Sequence, residues 1–180
     1  VQVASPFNYA QNCLLVFPGG YNAKTRGKTD NEQTARRVQQ LVEAANGHAL
    51  VLFTSYEQMG VMYETLKQDL KFAVLQARRG SQTAVEQFKQ MPNGVLLAGG
   101  PCWEGMDFPG DMVSLLVIVS LPFPVPDPVR EARRAQYADL HTYIQAEIVP
   151  EMQQKLRQGF GRAIRSETDS CAVAILDPRA

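Results

Sequence analysis

Short apolar runs alternate along this chain with longer segments of mixed polarity. The runs are bounded by polar or glycine-containing stretches, and they are continuous enough to form strands buried on both faces of a sheet. They predict strands at residues 13–17, 49–53, 72–75, 95–98, 115–119 and 172–176.

The segments between these runs carry apolar residues at spacings of three and four, which is the period of an amphipathic helix. Residues 32–45 show this spacing most clearly, and Asn46-Gly47 then ends the helix. Further helices are predicted at residues 57–68, 82–90, 127–141 and 150–166. Strands that alternate with helices predict an α/β fold, in which a parallel sheet carries helices on both faces.

Composition narrows the function classes. At 180 residues and 45% hydrophobic content, the chain suits one soluble domain with a substantial core. Eighteen basic and eighteen acidic residues cancel, whereas a small domain that binds DNA by charge alone usually has a basic excess. An autonomous DNA-binding module is therefore disfavoured. No apolar run approaches the roughly 20 residues of a membrane span, and the first nine residues lack the features of a signal peptide.

The cysteines, Cys13, Cys102 and Cys171, are far apart and form no CxxC pair. This spacing argues against a zinc site or a disulfide framework and favours core thiols in a reducing compartment. We expect a cytoplasmic protein whose chain binds no metal and no membrane.

The most informative stretch lies near the C-terminal end. In a helix that runs through it, Gln158, Arg162 and Arg165 share one face. The apolar residues of the stretch would seal the opposite face: Leu156, Phe160 and Ile164. Two guanidiniums aimed in one direction suit an oxygen-rich anion such as a nucleotide phosphate, and Gly161 allows close approach. A solvated helix face is the alternative reading of the same pattern.

Two loops at predicted strand ends carry further candidates, since ligands of open α/β sheets bind beyond the carboxyl ends of the strands. Thr54-Ser55-Tyr56 follows one strand, and its hydroxyls can hold a phosphate or simply cap the next helix. Residues 99–110 follow another strand and include the single Trp of the chain, Trp103, together with Glu104 and Asp107. Packing in the core is the more common fate of a lone Trp.

The segment Gly27-Lys28-Thr29 imitates the end of a P-loop. The P-loop pattern requires a glycine five positions before Gly27, and Asn22 stands there. The segment is also not predicted to lie directly between a buried strand and a helix. The chain thus has candidate arginines for a nucleotide site but no P-loop, and it resembles half of such a site.

Taken together, these pieces resemble the second RecA-like motor domain of the DinG/XPD-like group of superfamily 2 helicases. The resemblance covers nearly the whole chain. Residues 52–56 resemble motif IV, and residues 103–110 resemble motif V. Residues 121–123 with 126–128 resemble the segment that follows motif V. Residues 158–165, continued by 166–169 and 177–179, resemble motif VI.

The resemblance implies a RecA-like fold in which residues 1–180 are one motor lobe of a larger DNA helicase. ATP with Mg²⁺ would lie between this lobe and an absent first lobe that supplies the P-loop and the magnesium ligands. Arg165 and Arg162 would reach the γ-phosphate, and Gln158 would help to sense it. The residues near the nucleotide would be Gly105, Asp107 and Gly161.

The resemblance also implies contacts with single-stranded DNA. Thr54, Ser55 and Tyr56 would contact the DNA backbone, while Trp103 and Glu104 would lie between the DNA and ATP sites. Two alternatives remain open: a non-catalytic nucleic-acid-binding or interaction domain on the same fold, and a stand-alone nucleotide-binding enzyme, which the missing P-loop disfavours.

Overall fold

The computed structural model describes residues 9–18, 28–78, 82–103, 108, 112–164 and 169–180. These residues form a six-stranded sheet with the strand order β1-β6-β5-β2-β4-β3, and every neighbouring pair is parallel. The strands are β1 (Cys13–Val16), β2 (Ala49–Phe53), β3 (Val74–Ala77), β4 (Val95–Gly99), β5 (Leu115–Ile118) and β6 (Cys171–Ile175). The predicted parallel α/β fold is confirmed.

Seven α-helices occur in the described residues. They are α1 (Tyr9–Asn12), α2 (Lys28–Ala44), α3 (Tyr56–Asp69), α4 (Gln82–Lys89), α5 (Pro128–Arg134), α6 (Leu140–Tyr143) and α7 (Val149–Phe160). A 3-10 turn, Gly100–Trp103, follows β4, and a π-helical segment, Ile144–Ile148, joins α6 to α7.

The sheet has an apolar core on each face, because successive residues of a strand point to opposite sides. Val51 on β2 packs in the cluster that α2 and α3 cover. Its neighbour Leu52 packs in the cluster that α4 and α7 cover. The prediction that helices lie on both faces is thereby confirmed.

Strand predictions were accurate where burial is complete. β2 has the predicted bounds, and all five of its residues are buried. β3 begins two residues later than predicted, since Phe72 packs in the core on the α2 and α3 face instead of joining the sheet. Helix α1 was not predicted.

Helix α2 begins at Lys28, before its predicted start. Lys28 and Thr29 therefore belong to the helix and not to the segment before it, although the segment still does not follow a buried strand directly. The preceding strand β1 is only partly buried and lies at the edge of the described sheet, and position 22 still lacks the glycine of a P-loop.

The helix predicted for residues 127–141 is in fact two helices. Each has its own capping aspartate: Asp127 accepts the Arg130 N–H of α5 at 2.9 Å, and Asp139 accepts the Thr142 N–H of α6 at 2.8 Å. A side chain that caps a helix start satisfies amides that an uninterrupted helix would use internally. The second aspartate therefore interrupts the predicted helix.

The helix predicted for residues 150–166 ends at Phe160. Beyond it, the Arg162 N–H bonds to the Gly159 carbonyl and the Ala163 N–H to the Phe160 carbonyl, both at 3.0 Å, in the tighter i to i−3 pattern of a terminal turn. Two glycines in three residues weaken the helix at this point. The predicted helix therefore ends before Arg162, which lies in the terminal turn.

Two cysteines are described with their side chains. Cys171 is buried, and burial raises the pKa of its thiol to about 12. Cys13, its neighbour across the β1–β6 pair, is half-buried, and burial raises the pKa of this thiol as well. Both are free thiols of the kind expected in a core, while the side chain of Cys102 lies outside the described residues.

Candidate functional site

The candidate site lies where β2 and β4 end side by side. Phe53, the last residue of β2, is in register with Gly99, the last residue of β4. The segment Thr54-Ser55-Tyr56 and the turn Gly100–Trp103 therefore leave the sheet together at its carboxyl edge. This juxtaposition follows from parallel pairing, which brings equivalent strand ends to one edge.

Ser55 caps α3. Its Oγ accepts the Gln58 N–H at 3.3 Å, and its backbone is extended, as expected of a capping residue. Thr54 and Ser55 are both exposed. The cap occupies one lone pair of the Ser55 hydroxyl oxygen, while the hydroxyl proton can still donate to a phosphate oxygen. The capping role and a phosphate contact are therefore compatible.

Tyr56 lies over Gly99, the last residue of β4, and Gly100, the first residue of the following turn. Its ring carbon Cε1 is 3.2 Å from the position that a Cβ on Gly99 would occupy, and its hydroxyl is 3.5 Å from the Gly99 carbonyl oxygen. Gly100 has a φ of +57°, and a Cβ there would collide with the Tyr56 hydroxyl. The absence of side chains at the two glycines lets the Tyr56 ring pack against the backbone, and Tyr56 remains 39% exposed.

Trp103 is only 1% exposed. Its Nε1–H donates to the Phe53 carbonyl at 2.9 Å, and its ring packs against Gly159 of α7 and in the core beside Leu52. Trp103 was expected between the DNA and ATP sites, but at this burial its ring is not open for stacking on a base. The reading of Trp103 as packed core fits the structure.

Gln158 and Arg162 are half-buried and close together. The Nε–H of Arg162 donates to the Gln158 main-chain carbonyl at 3.2 Å. This bond holds the guanidinium beside the last turn of α7, and a guanidinium carries five donors in all. Gly161 ends α7 with ordinary right-handed angles, and a Cβ there would lie 3.5 Å from the nearest atom. Local packing therefore does not require a glycine at position 161.

The apolar side of the same stretch behaves as predicted. Ile164 is buried, and Leu156 and Phe160 pack against the core cluster that contains Trp103. Four of the predicted site residues lie outside the described residues: Glu104, Gly105, Asp107 and Arg165.

Asp177, just beyond β6, anchors the loop that follows β5. Its carboxylate accepts the Leu121 N–H at 2.8 Å and the Arg179 guanidinium at 2.6 and 2.8 Å. Burial alone would raise the pKa of this carboxyl, but the hydrogen bonds from Arg179 and Leu121 outweigh burial and lower it. Arg179 also lies over the Phe123 ring, 4.6 Å from its centre. Nothing in the sequence distinguishes this aspartate as a loop anchor.

Two absences apply to the described part of the chain. There, no three His, Cys, Asp or Glu side chains are gathered as ligands for a metal ion. No helix among the same residues has both the length and the apolar character that crossing a bilayer requires.

Comparison with known proteins adds to this geometry. The sequence profile of the helicase C-terminal domain family matches residues 38–180. The ATP-dependent DNA helicase YoaA of Haemophilus influenzae is 36% identical over 97% of the chain, and the 3'-5' exonuclease DinG of Bacillus subtilis is 30% identical over 99% of it. The matched regions span 28% and 20% of those two proteins.

The fold also matches a solved structure. An XPD helicase superposes on 93% of the chain with a TM-score of 0.71 at 21% sequence identity, and the superposed region is 31% of that helicase. The fold is therefore that of a RecA-like helicase domain.

Proposed function

This chain belongs to the helicase C-terminal domain family, and we propose that it is the second motor lobe of an ATP-dependent DNA helicase of the DinG/XPD-like group. The lobe supplies arginines to ATP held on a first lobe of the same polypeptide, and it holds single-stranded DNA by its backbone. Its residues 1–180 act as one domain of that longer enzyme.

One observation carries the nucleotide half of the proposal: the stretch with Gln158 and Arg162 packs on the core through its apolar residues, and its two polar residues lie side by side, joined by the bond from Arg162 to the Gln158 carbonyl. The amide and guanidinium groups of this stretch are hydrogen-bond donors suited to phosphate oxygens. The guanidinium offers no ligand for Mg²⁺, which takes oxygen donors. Mg²⁺ in this proposal is therefore held by the first lobe and by the ATP phosphates.

Phosphoryl transfer depends mostly on positioning and on neutralising charge. Arg165 and Arg162 neutralise charge at the γ-phosphate, and Gln158 senses whether that phosphate is present. Gly105, Asp107 and Gly161 line the nucleotide in the same scheme. An arginine finger contributes about 10³–10⁵ in rate, which corresponds to roughly 4–7 kcal/mol of the barrier.

The nucleic-acid half of the proposal rests on the segment after β2. The exposed hydroxyls of Thr54 and Ser55 stand at the N-terminus of α3, a 14-residue helix whose first amides favour an anion. Tyr56 offers a partly exposed ring beside them. Glu104 borders this surface in the proposal, and Trp103 supports it from beneath without touching DNA.

The direct test substitutes the arginines in the full-length protein. Arg165→Ala should lower the kcat of DNA-stimulated ATP hydrolysis by about 10³-fold or more, with a smaller effect on ATP binding measured without turnover. Arg165→Lys should restore little, since a point charge does not reproduce the planar fork of the guanidinium. Arg162→Ala should also lower kcat.

Arg36→Ala is a matched control, because Arg36 is an exposed arginine on α2. It should leave turnover unchanged. Near wild-type turnover of Arg165→Lys would refute the arginine-finger role. If both alanine variants kept full turnover while the protein still bound DNA, the chain would instead be a non-catalytic binding domain.

A further inference from the structure

Gly159, in the last turn of α7, lies directly against the indole ring of Trp103. A Cβ on this glycine would stand 3.0 Å from Cζ3 and 3.1 Å from Cε3 of the indole, and 3.3 Å from Cδ1 of Leu52. Such distances are shorter than ordinary van der Waals contact, so glycine is the residue that lets α7 approach this closely. A glycine inside a helical pattern commonly has such a packing reason.

The other edge of the same indole is fixed to β2. Its Nε1–H donates to the carbonyl of Phe53, the residue immediately before Thr54-Ser55-Tyr56. Trp103 is fully buried, so it cannot move without displacing its neighbours. The indole is thus a rigid spacer with the strand end at one edge and Gly159 at the other.

The Trp103 indole contacts residues that are adjacent to the proposed functional groups on both of its sides. Gly159 directly follows Gln158, and its own carbonyl accepts the Arg162 N–H at 3.0 Å. Whatever fixes Gly159 therefore fixes both polar residues of the proposed phosphate-facing turn. On the β2 side, Phe53 leads without an intervening residue into the proposed DNA-binding segment.

We propose that Gly159 and Trp103 are a positioning pair, which holds the Gln158–Arg162 turn at a fixed distance from the end of β2. Neither residue touches ATP or DNA; each acts through the groups that it places. The proposal rests on the proposed function, because it concerns the positions of the arginines during ATP hydrolysis. Displacements well below 1 Å matter here, since a misplacement of about 1 Å can cost a reaction about 10²-fold.

Gly159→Ala in the full-length protein is the primary test. Alanine favours a helix more than glycine does, so any loss of activity arises from the new contact with the indole and not from a weakened helix. The kcat for DNA-stimulated ATP hydrolysis should fall roughly tenfold or more, while the KM for ATP changes less. Gly60→Ala is the control: Gly60 lies within α3, and its Cβ would meet only the end of the Arg78 side chain, at 3.4 Å. It should keep wild-type turnover.

A second variant separates positioning from stability. The shorter phenyl ring of Trp103→Phe should make room for the added methyl group, so the double variant Gly159→Ala/Trp103→Phe should turn over faster than Gly159→Ala alone. The double variant should nevertheless melt at a lower temperature, because it loses core volume and the bond to Phe53. A role in stability alone predicts the opposite order of turnover.

Wild-type turnover of Gly159→Ala, or a double variant slower than the single one, would overturn the inference. Arg162→Ala, measured in parallel, identifies which idea fails. If Arg162→Ala lowers kcat and Gly159→Ala does not, only the positioning role is lost. If neither lowers kcat and Arg165→Ala does not lower it either, the proposed function itself is contradicted.

Discussion

Thr54, Ser55 and Tyr56 place hydroxyls and an aromatic ring on one exposed segment, where they can meet a phosphate and a base together. We predict that Ser55→Ala and Tyr56→Ala weaken single-strand binding by the full-length protein to a similar degree on unrelated sequences, because backbone contacts carry no sequence information. Loss of a stacking ring costs about 1–3 kcal/mol per base. Fluorescence anisotropy with several labelled oligonucleotides measures the effect.

Glu64→Ala, at an exposed position of the same helix, is a control that should leave affinity unchanged. A strong preference for one sequence would contradict backbone recognition. Normal affinity of both variants would show that Ser55 serves only to cap α3 and Tyr56 only to pack on Gly99 and Gly100.

Asp177 predicts a pH dependence of stability. Its pKa in the folded protein lies below the ordinary value of 3.8, so the ionised carboxylate stabilises the fold at pH values above the unfolded pKa. This contribution is lost as the pH falls through the folded pKa. Asp177→Asn should therefore be less stable than wild type by a constant amount at pH 5–8. The difference should shrink below about pH 4.

Thermal melting of wild type and Asp177→Asn across this pH range is the measurement. A difference that persisted unchanged at pH 3 would show that the ionised carboxylate is not what anchors Leu121 and Arg179.

At the scale of elements, strand β4 provides a paired test of the two cores. Leu96 and Leu97 are both fully buried, Leu96 on the face that α4 and α7 cover and Leu97 on the face that α2 and α3 cover. Either leucine replaced by alanine should lower the free energy of unfolding by about 2–5 kcal/mol, the usual cost of a cavity left by Leu→Ala. Urea denaturation measures it.

Leu14→Ala on the exposed side of β1 is the matched control and should cost little, because Leu14 is 66% exposed. A small effect at Leu97 together with a large one at Leu96 would mean that the α2 and α3 face is loosely packed.

The same elements show what the sequence could reveal. β2 and β4 were predicted closely because strands buried on both faces must be continuously apolar. The breaks at Asp139 and at Gly159–Gly161 were missed, since a capping aspartate and a glycine required by an indole elsewhere in the chain depend on tertiary neighbours. The segment Thr54-Ser55-Tyr56 and the Gln158–Arg162 stretch could be picked out as candidates by residue type and position. The Gly159–Trp103 contact joins residues 56 positions apart, and periodicity carries no sign of it.

At the scale of the whole molecule, the charge and the motifs point to a lobe that is incomplete by itself. The formal net charge is zero, so the lobe has no general attraction for a polyanion. Its candidate phosphate-binding side chains, Gln158, Arg162 and Arg165, are hydrogen-bond donors, while the P-loop glycine is missing at position 22. In the proposed arrangement, the first lobe holds the nucleotide and completes the channel for DNA.

We therefore predict that the isolated 180-residue chain does not hydrolyse ATP, with or without single-stranded DNA, and binds DNA weakly. The full-length protein, assayed alongside it, should hydrolyse ATP and be stimulated by DNA. The substitution Arg165→Ala distinguishes the two cases. It should lower ATP turnover in the full-length protein, where the first lobe holds ATP, and should change nothing in the isolated chain, which has no turnover to lower. If the purified chain hydrolysed ATP with DNA stimulation, and if Arg165→Ala abolished that hydrolysis, the lobe would contain a complete site. The two-lobe proposal would then fail.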